Sequence, residues 1–178
     1  MDWPLEGVVD GIERMSGVPG RLERIEAGQD FTVVVDYAHT ADALDNVLRA
    51  AREITPDGAR LICVFGCGGD RDRGKRPLMG RAAVLVADHV IITSDNPRSE
   101  DPRAIVAEIE AGARGEGARY EIEVDRRAAI ARAINEAHTG DVIVIAGKGH
   151  ESGQEFADRT VPFDDRTVAR EALEMRQG

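Results

Sequence analysis

The chain has 178 residues, of which 42% are hydrophobic and 31% charged, a composition typical of one globular domain and not of a disordered chain. Acidic side chains outnumber basic ones by 33 to 23, and the net charge of -10 has the wrong sign for a general binder of nucleic acids or anionic membranes. The chain has no apolar run of the roughly 18 residues that a membrane helix needs, and no signal-peptide pattern at its start. We therefore expect a cytoplasmic protein without nucleic-acid or membrane partners.

The first residues differ in pattern from the rest of the chain. Apolar side chains recur there at helical spacing, at Leu5, Val8, Val9, Ile12 and Met15, and a break rich in glycine and proline follows over 16–20. This helix either packs on the domain or is the tail of a preceding domain, and the pattern leaves both open. We place the boundary here, with 1–17 as a linker and 18–178 as the folded domain.

Beyond this break, short apolar runs alternate with stretches of helical periodicity, which is typical of a parallel sheet. The predicted strands are 31–36, 61–65, 89–93, 120–124 and 141–146, and residues 22–25 could pair with the first of them as a hairpin. The predicted helices are 41–54 after Thr40 as N-cap, one from Pro77, one from Pro102 behind Asp101, 125–137, and one from 164 to about 175. We predict an open, three-layer α/β fold with a mostly parallel sheet of about six strands.

Four polar segments each begin where a predicted strand ends, at 36–39, 66–76, 94–98 and 147–151. In open parallel sheets the carboxyl ends of the strands form the ligand crevice, so this convergence indicates a site. The alternative is that these are ordinary surface loops, since polar loops follow most strands.

The glycine-rich segment 66–76 nearly spells a phosphate-binding loop, but Arg76 stands where a Ser or Thr would hold magnesium. We therefore exclude a self-sufficient triphosphatase and expect an anion-binding loop. The only cysteines, Cys63 and Cys67, match neither a zinc site nor a disulfide framework, so we predict reduced, inert thiols and no metal site.

The segment from Asp95 to Arg98 combines an acid, an amide, a rigid turn and a guanidinium. Such a set can bind a ligand that carries both ammonium and carboxylate groups, because Arg98 can pair with a carboxylate and Asn96 can donate or accept beside it. The alternative is a plain turn in which Asp95 pairs with Arg98. Glu151 and His39, each taken alone, could likewise be solvated surface residues.

Taken together and in order, these motifs resemble the C-terminal domain of the Mur ligases, and most closely that of the members that add meso-diaminopimelate. The resemblance rests on segments 17–21, 36–40, 66–77, 95–98, 147–151 and 163–166, and it covers most of the chain. It implies a Rossmann-like domain of an ATP-dependent amide ligase that acts on UDP-MurNAc-L-Ala-D-Glu in peptidoglycan synthesis.

The resemblance also implies how the work is divided. The UDP-sugar domain and the central ATPase domain have no counterpart in this chain, residues 1–17 would be the tail of the central domain, and the chain alone would be inactive. ATP and Mg²⁺ would be bound mainly by the central domain and not by this chain alone, and the UDP-MurNAc-dipeptide would also be met through the missing domains.

Carried over position by position, the resemblance assigns the diaminopimelate contacts to Arg71, Asp95, Asn96, Pro97, Arg98, Gly147 and Glu151. Lysine-adding relatives lack the arginine of this motif, so Arg98 would decide the substrate class. Arg21, Asp36 and His39 would lie near the nucleotide. Two other interpretations remain open: an amino-acid-binding module without catalysis, and a complete nucleotide-binding enzyme, which Arg76 opposes.

Overall fold

The computed structural model describes residues 20–115 and 117–177, so the amphipathic segment at 5–15 and the boundary after residue 17 lie outside the described residues. The elements in chain order are β1 Glu23–Ile25, β2 Thr32–Asp36, α1 Ala41–Ile54, β3 Leu61–Phe65, α2 Lys75–Val86, β4 His89–Ile92, α3 Pro102–Ala113, β5 Arg119–Ile122, α4 Arg126–Glu136, β6 Val142–Ala146, β7 Gly153–Glu155, β8 Thr160–Pro162 and α5 Asp165–Gln177. Each predicted strand and helix in this part of the chain is confirmed, with small shifts at the ends.

The main sheet has six strands in the order β1-β2-β6-β3-β4-β5. All neighbours are parallel except β1, which pairs antiparallel with β2 and so forms the predicted hairpin. The central strands β3 and β6 are buried along their whole length, as their unbroken apolar runs predict. Helices α1, α2 and α3 pack on one face, and α4 and α5 pack on the other. The predicted three-layer α/β fold is therefore confirmed.

Side-chain caps fix where three of the helices begin. Thr40 Oγ1 accepts the backbone N–H of Ala43, and the carboxylates of Asp101 and Asp125 cap α3 and α4 in the same way. Helix α2 begins at Lys75, two residues before the predicted Pro77. A proline is tolerated there because the first N–H groups of a helix have no intrahelical partner.

The second sheet, the hairpin of β7 and β8, was not predicted. Its strands have three residues each and carry no regular alternation of apolar and polar side chains. The hairpin is fixed by tertiary contacts: Gln154 Nε2 donates to the backbone oxygen of Asp95, and the backbone N–H of Arg98 donates to the oxygen of Glu155. It therefore covers one side of the loop that follows β4.

The two cysteines lie in the core, and the helices are those of a globular domain. Cys63 and Cys67 are free and buried, and burial raises the pKa of Cys67 to about 12, which keeps its thiol protonated. Among residues 20–115 and 117–177, the helices are all too short or too polar to cross a bilayer.

Candidate functional site

A cleft of about 540 Å³ lies at the carboxyl edge of the sheet, between the loops that follow β2, β3, β4 and β6. Most of the predicted site residues line it: His39, Arg71, Asp95, Asn96, Arg98, Gly147 and Glu151. Tyr37, Thr40, Gly68, Asp72 and Lys75 complete the lining. Pro97, Arg21 and Asp36 lie outside it. The topology thus brings four segments together that are far apart in the sequence.

The loop after β4 is held tightly against the loop after β3. The backbone N–H of Gly69 donates to the oxygen of Asn96 at 2.8 Å, and a side chain at Gly69 would overlap the carbonyl of Pro97. Pro97 is buried at this contact and stands behind the cleft, not in it. Its place explains why a glycine is needed at position 69.

Arg98 is held on one side and open on the other. Its Nε donates to Glu155 Oε2 at 2.7 Å and its Nη1 donates to the oxygen of Gly69 at 2.8 Å, while Nη2 makes no hydrogen bond within the described part of the chain. The backbone has a φ of 51°, a left-handed conformation that is rare for a residue with a side chain. The structure therefore does not contain the plain turn in which Asp95 pairs with Arg98.

The four cations of the glycine-rich loop have two different roles. Arg73 pairs with Glu108 and so fixes the loop to α3, and the buried Arg76 pairs with Glu100 and Glu108 at 2.8 and 2.9 Å and so holds α2 against α3. Arg71 and Lys75 line the cleft instead. Because Arg76, with Nη1 and Nη2 in ion pairs, takes the place of the Ser or Thr that would hold Mg²⁺, the described residues do not fit a complete triphosphate and Mg²⁺ site of their own.

Buried charges stand behind the wall of the cleft formed by Asp95, Asn96 and Glu151. Lys148 is 0% exposed, and its Nζ donates to Asn96 Oδ1 at 2.8 Å and to Glu151 Oε2 at 3.0 Å. Burial raises the pKa of Asp95, and Arg126 and Lys148 offset this only in part. Burial also acts to raise the pKa of Glu151, but the hydrogen bonds from Asn96 and Lys148 outweigh it, so this pKa lies below its usual value.

A second buried cation, Arg126, joins two strand ends behind the site. It pairs with Asp165 through Nη2 at 2.7 Å and also donates to the backbone oxygens of Ser94 and Ala146. Sequence reasoning missed Arg126, Asp165 and Lys148 as structural parts of the site. Arg126 and Asp165 each begin a helix, where charged residues are usually solvated, and only the fold shows that they are buried together.

The predicted nucleotide-proximal residues lie at one side of the cleft. Asp36 Oδ2 accepts the N–H of Leu22 at 2.8 Å, which places the turn that contains Arg21 beside the end of β2. His39 lines the cleft, and its backbone oxygen accepts a hydrogen bond from Lys75 Nζ at 2.7 Å. These three residues therefore share one flank of the site.

One further group of metal-ligand types lies at the opposite edge of the sheet. His89 Nε2 approaches Glu121 Oε1 at 3.1 Å, and Glu136 is the third member. Arg132 donates to the other oxygen of Glu121, so this carboxylate already has a cationic partner. We assign no metal to this group.

The family model described as "Mur ligase, glutamate ligase domain" matches residues 20–149. The UDP-N-acetylmuramoyl-L-alanyl-D-glutamate--2,6-diaminopimelate ligase of Syntrophomonas wolfei is 58% identical over 167 residues, which are 93% of this chain and 34% of that protein. The enzyme of the same name from Solibacter usitatus is 56% identical over 168 residues, 94% of this chain and 34% of that protein. The chain thus spans about a third of the length of these relatives.

Two solved structures are similar to this chain in fold. A structure titled as a UDP-N-acetylmuramoyl-L-alanyl-D-glutamate--2,6-diaminopimelate ligase superposes with a TM-score of 0.84 at 45% identity, over 99% of this chain and 36% of that one. The UDP-N-acetylmuramate-alanine ligase of Thermotoga maritima superposes with a TM-score of 0.60 at 19% identity, over 98% of this chain and 34% of that one, and this likeness shows the fold alone.

Proposed function

Because the chain belongs to the Mur ligase family, as its C-terminal domain, we propose that it supplies the amino-acid site of an ATP-dependent ligase that adds meso-diaminopimelate to UDP-MurNAc-L-Ala-D-Glu in peptidoglycan synthesis. The observation that carries the proposal is that Arg71, Arg98 and Glu151 line one cleft. Two cations and one anion facing the same space match an amino acid with several charges of both signs.

The ligand has two carboxylates and two ammonium groups, and each has a candidate partner. Arg71 is exposed and Arg98 keeps Nη2 available, so both can donate to carboxylates. Glu151 uses Oε2 for its internal hydrogen bonds, and Oε1 accepts none from the described residues. In this proposal Glu151 Oε1 and the carbonyl of Gly147 accept from an ammonium group, with Asp95 and Asn96 beside them.

Arg98 is the residue that selects diaminopimelate over L-lysine in this proposal. L-lysine lacks the distal carboxylate, so its binding would leave the open side of Arg98 without a partner in the cleft. A guanidinium donor left without an acceptor in a partly desolvated site is a penalty of the kind that produces discrimination between ligands.

The contribution of this chain to the reaction is positioning. ATP, bound mainly by the domain that precedes this one in such ligases, supplies the phosphoryl group that activates the acceptor carboxylate. The cleft residues hold the amine of the amino acid at a fixed place, which lowers the entropic cost of its attack on the phosphorylated carboxylate, where the amide C–N bond forms as phosphate leaves and the amine loses a proton. Arg21, Asp36 and His39 flank the cleft on the side proposed to face the nucleotide.

Since ATP and UDP-linked sugars are cytoplasmic metabolites, we also propose a cytoplasmic location. Because this chain spans only about a third of such ligases, we propose that it is inactive by itself.

The test is a calorimetric titration of this chain with meso-diaminopimelate and with L-lysine, repeated on Arg98→Ala. We expect binding of diaminopimelate alone and a loss of at least about tenfold in the variant, the size expected for one charge-assisted interaction. Arg52→Ala is the matched control, because Arg52 pairs with Asp88 at 2.8 Å far from the cleft. Equal binding of both amino acids would refute the role of Arg98, and binding of neither would refute a site formed by this chain alone.

A second candidate is an amino-acid-binding module without catalysis. It is favoured by one observation: this chain by itself brings side chains of both charges, Arg71, Arg98 and Glu151, to one cleft. The coding sequence upstream of Met1 separates the two candidates, because a reading frame that continues into a phosphate-binding loop supports the ligase.

A further inference from the structure

We infer that Lys148 is a positioning residue for the amino-acid site: its buried ammonium fixes the side chains of Asn96 and Glu151 in the orientation that receives the ligand, without touching the ligand itself. This inference rests on the proposed function. Lys148 is 0% exposed and does not line the cleft, so direct contact with a ligand there is excluded by the geometry. Its two hydrogen-bond partners, by contrast, both line the cleft.

The hydrogen bonds around Lys148 form a closed triangle. Its Nζ donates to Asn96 Oδ1 and to Glu151 Oε2, at 2.8 and 3.0 Å, and Asn96 Nδ2 donates to the same oxygen of Glu151 at 2.8 Å. An ammonium group has only donors, so the atom of Asn96 that faces it must be the amide oxygen. The N–H of Glu155 also donates to this oxygen, at 3.1 Å, and the amide nitrogen is thereby turned towards Glu151.

The triangle leaves one carboxylate oxygen of Glu151, Oε1, available to the ligand. Both internal hydrogen bonds end on Oε2, and the side chain is 35% exposed. Oε1 is then free to pair with an ammonium group in the cleft. A carboxylate fixed at one oxygen loses less rotational freedom on binding than one that turns freely, so the fixed Glu151 favours affinity.

The charge of Lys148 acts in the same direction as its hydrogen bonds. Its Nζ lies 3.7 Å from Asp95 Oδ1, so two carboxylates surround one cation. Burial by itself would raise the pKa of Glu151, and the hydrogen bonds from Asn96 and Lys148 lower it below its usual value. Glu151 therefore stays ionised at neutral pH, which is the state that attracts an ammonium ligand.

The local sequence explains how a lysine reaches this place. Lys148 stands between Gly147 and Gly149, whose φ angles of 118° and 53° are rarely open to other residues. A side chain at Gly147 would meet Asp95 Oδ2 at 2.7 Å, and one at Gly149 would meet Tyr37 Cβ at 2.8 Å. The two glycines let the backbone pass close to its neighbours while the lysine between them points inward.

The experiment is a double-mutant cycle in this chain with Lys148→Met, Glu151→Gln and the double variant, measuring the affinity for meso-diaminopimelate by calorimetry. We expect each single change to weaken binding about tenfold, as for the loss of one charge-assisted hydrogen bond. We expect the double variant to lose hardly more than either single one, because Lys148 acts through Glu151. A product of the two single losses would overturn the inference, because Lys148 would then affect binding independently of Glu151.

The pH dependence gives a readout that a purely structural role would not move. Removing the cation should raise the pKa of Glu151, so the affinity of Lys148→Met should fall at a higher pH than that of the wild type as the pH is lowered. An unchanged midpoint would contradict the inference. The remaining groups near Glu151, namely Asp95, Asn96, Arg98 and Arg126, are the same in both proteins.

A failure of the proposed function can be distinguished from a failure of the inference about Lys148. If the wild-type chain does not bind diaminopimelate, the proposed function of the isolated site fails, and carbon-detected NMR titration of the Glu151 carboxyl in the wild type and in Lys148→Met still tests Lys148. If Lys148→Met does not fold, Lys148→Gln takes its place. A higher Glu151 midpoint in the variant supports the inference, and an unchanged midpoint overturns it, because the hydrogen bond from Asn96 lowers the pKa of Glu151 in both proteins.

Discussion

The two edges of the main sheet are built on different principles. At the amino edge, carboxylates pair with arginines and with backbone N–H groups. Asp141 accepts from the backbone and side chain of Arg60, and Asp88 accepts from Arg52 and from the N–H of Leu61. At the carboxyl edge, the cleft keeps donors and acceptors open, and buried cations stand behind it. One edge pairs its charged groups internally, and the other leaves charged groups open in a cleft.

Backbone conformation shows the same contrast. Within residues 20–115 and 117–177, the non-glycine residues with positive φ are Leu22, Asp70 and Arg98, and each lies in a loop at the carboxyl edge. Such conformations cost energy and persist only where the surroundings impose them, and they concentrate at functional sites. Asp70 is held by Ser99 and Glu100, and Arg98 by Glu155 and Gly69. Hydrogen-bond partners at the carboxyl edge itself therefore hold these two residues in their left-handed conformation.

The largest difference in stability between the two edges should appear when one methyl group is added at each edge. Gly69→Ala would drive a side chain into the carbonyl of Pro97, and we expect it to lower the free energy of unfolding by about 3 kcal/mol. Gly58→Ala at the amino edge has open space around it and should lose only about 1 kcal/mol through its left-handed backbone. Urea unfolding of both variants measures this difference, and equal losses would contradict the comparison.

A change at the amino edge should affect stability without affecting the ligand. Asp141 is 2% exposed and binds Arg60 and the N–H of His138, so Asp141→Asn should lower the free energy of unfolding by about 2 kcal/mol at neutral pH. The affinity for meso-diaminopimelate should stay the same. An affinity loss equal to that of Arg98→Ala would show that the two edges are coupled.

The same variant has a defined pH dependence. Burial acts to raise the pKa of Asp141, but its hydrogen bonds from Arg60 and His138 outweigh this and hold it below the usual 3.8. A carboxyl with a lowered pKa in the folded state adds stability above its unfolded pKa, and this stability is lost as the pH falls through the folded pKa. The difference between wild type and Asp141→Asn should therefore be full at pH 7 and shrink below about pH 4.

The smallest effect concerns the surface partner of Arg98. Glu155 has a side chain that is 50% exposed, so the ion pair it makes is weak and Glu155→Gln should lower the affinity for diaminopimelate only about threefold. Asp45→Asn, which removes an exposed ion pair with Arg49 on α1, is the matched control and should change the affinity by nothing measurable. A loss as large as that of Arg98→Ala would mean that Glu155 is part of the recognition itself.

The regular part of the fold could be predicted because its signals are local. The apolar run of β6 and the cap at Thr40 each announce their element within a few residues. The hairpin of β7 and β8 could not be predicted, since its contacts with Asp95 and Arg98 come from a loop more than fifty residues away. Strands of three residues without alternating apolar and polar side chains cannot be distinguished from a loop by their local sequence.

For the candidate site, the sequence determined which residue types are present and that they follow strand ends. It therefore predicted Arg71, Asn96, Arg98 and Glu151 as neighbours, and the fold brings them to one cleft. Only the tertiary structure decided how similar residues divide their work: Arg73 and Arg76 pair with glutamates in and before α3, while Arg71 faces the cleft. It also decided that Lys148 stands behind the site and not in it. Burial and hydrogen-bond partners depend on contacts between distant segments, and a pattern of residues along one chain does not encode them locally.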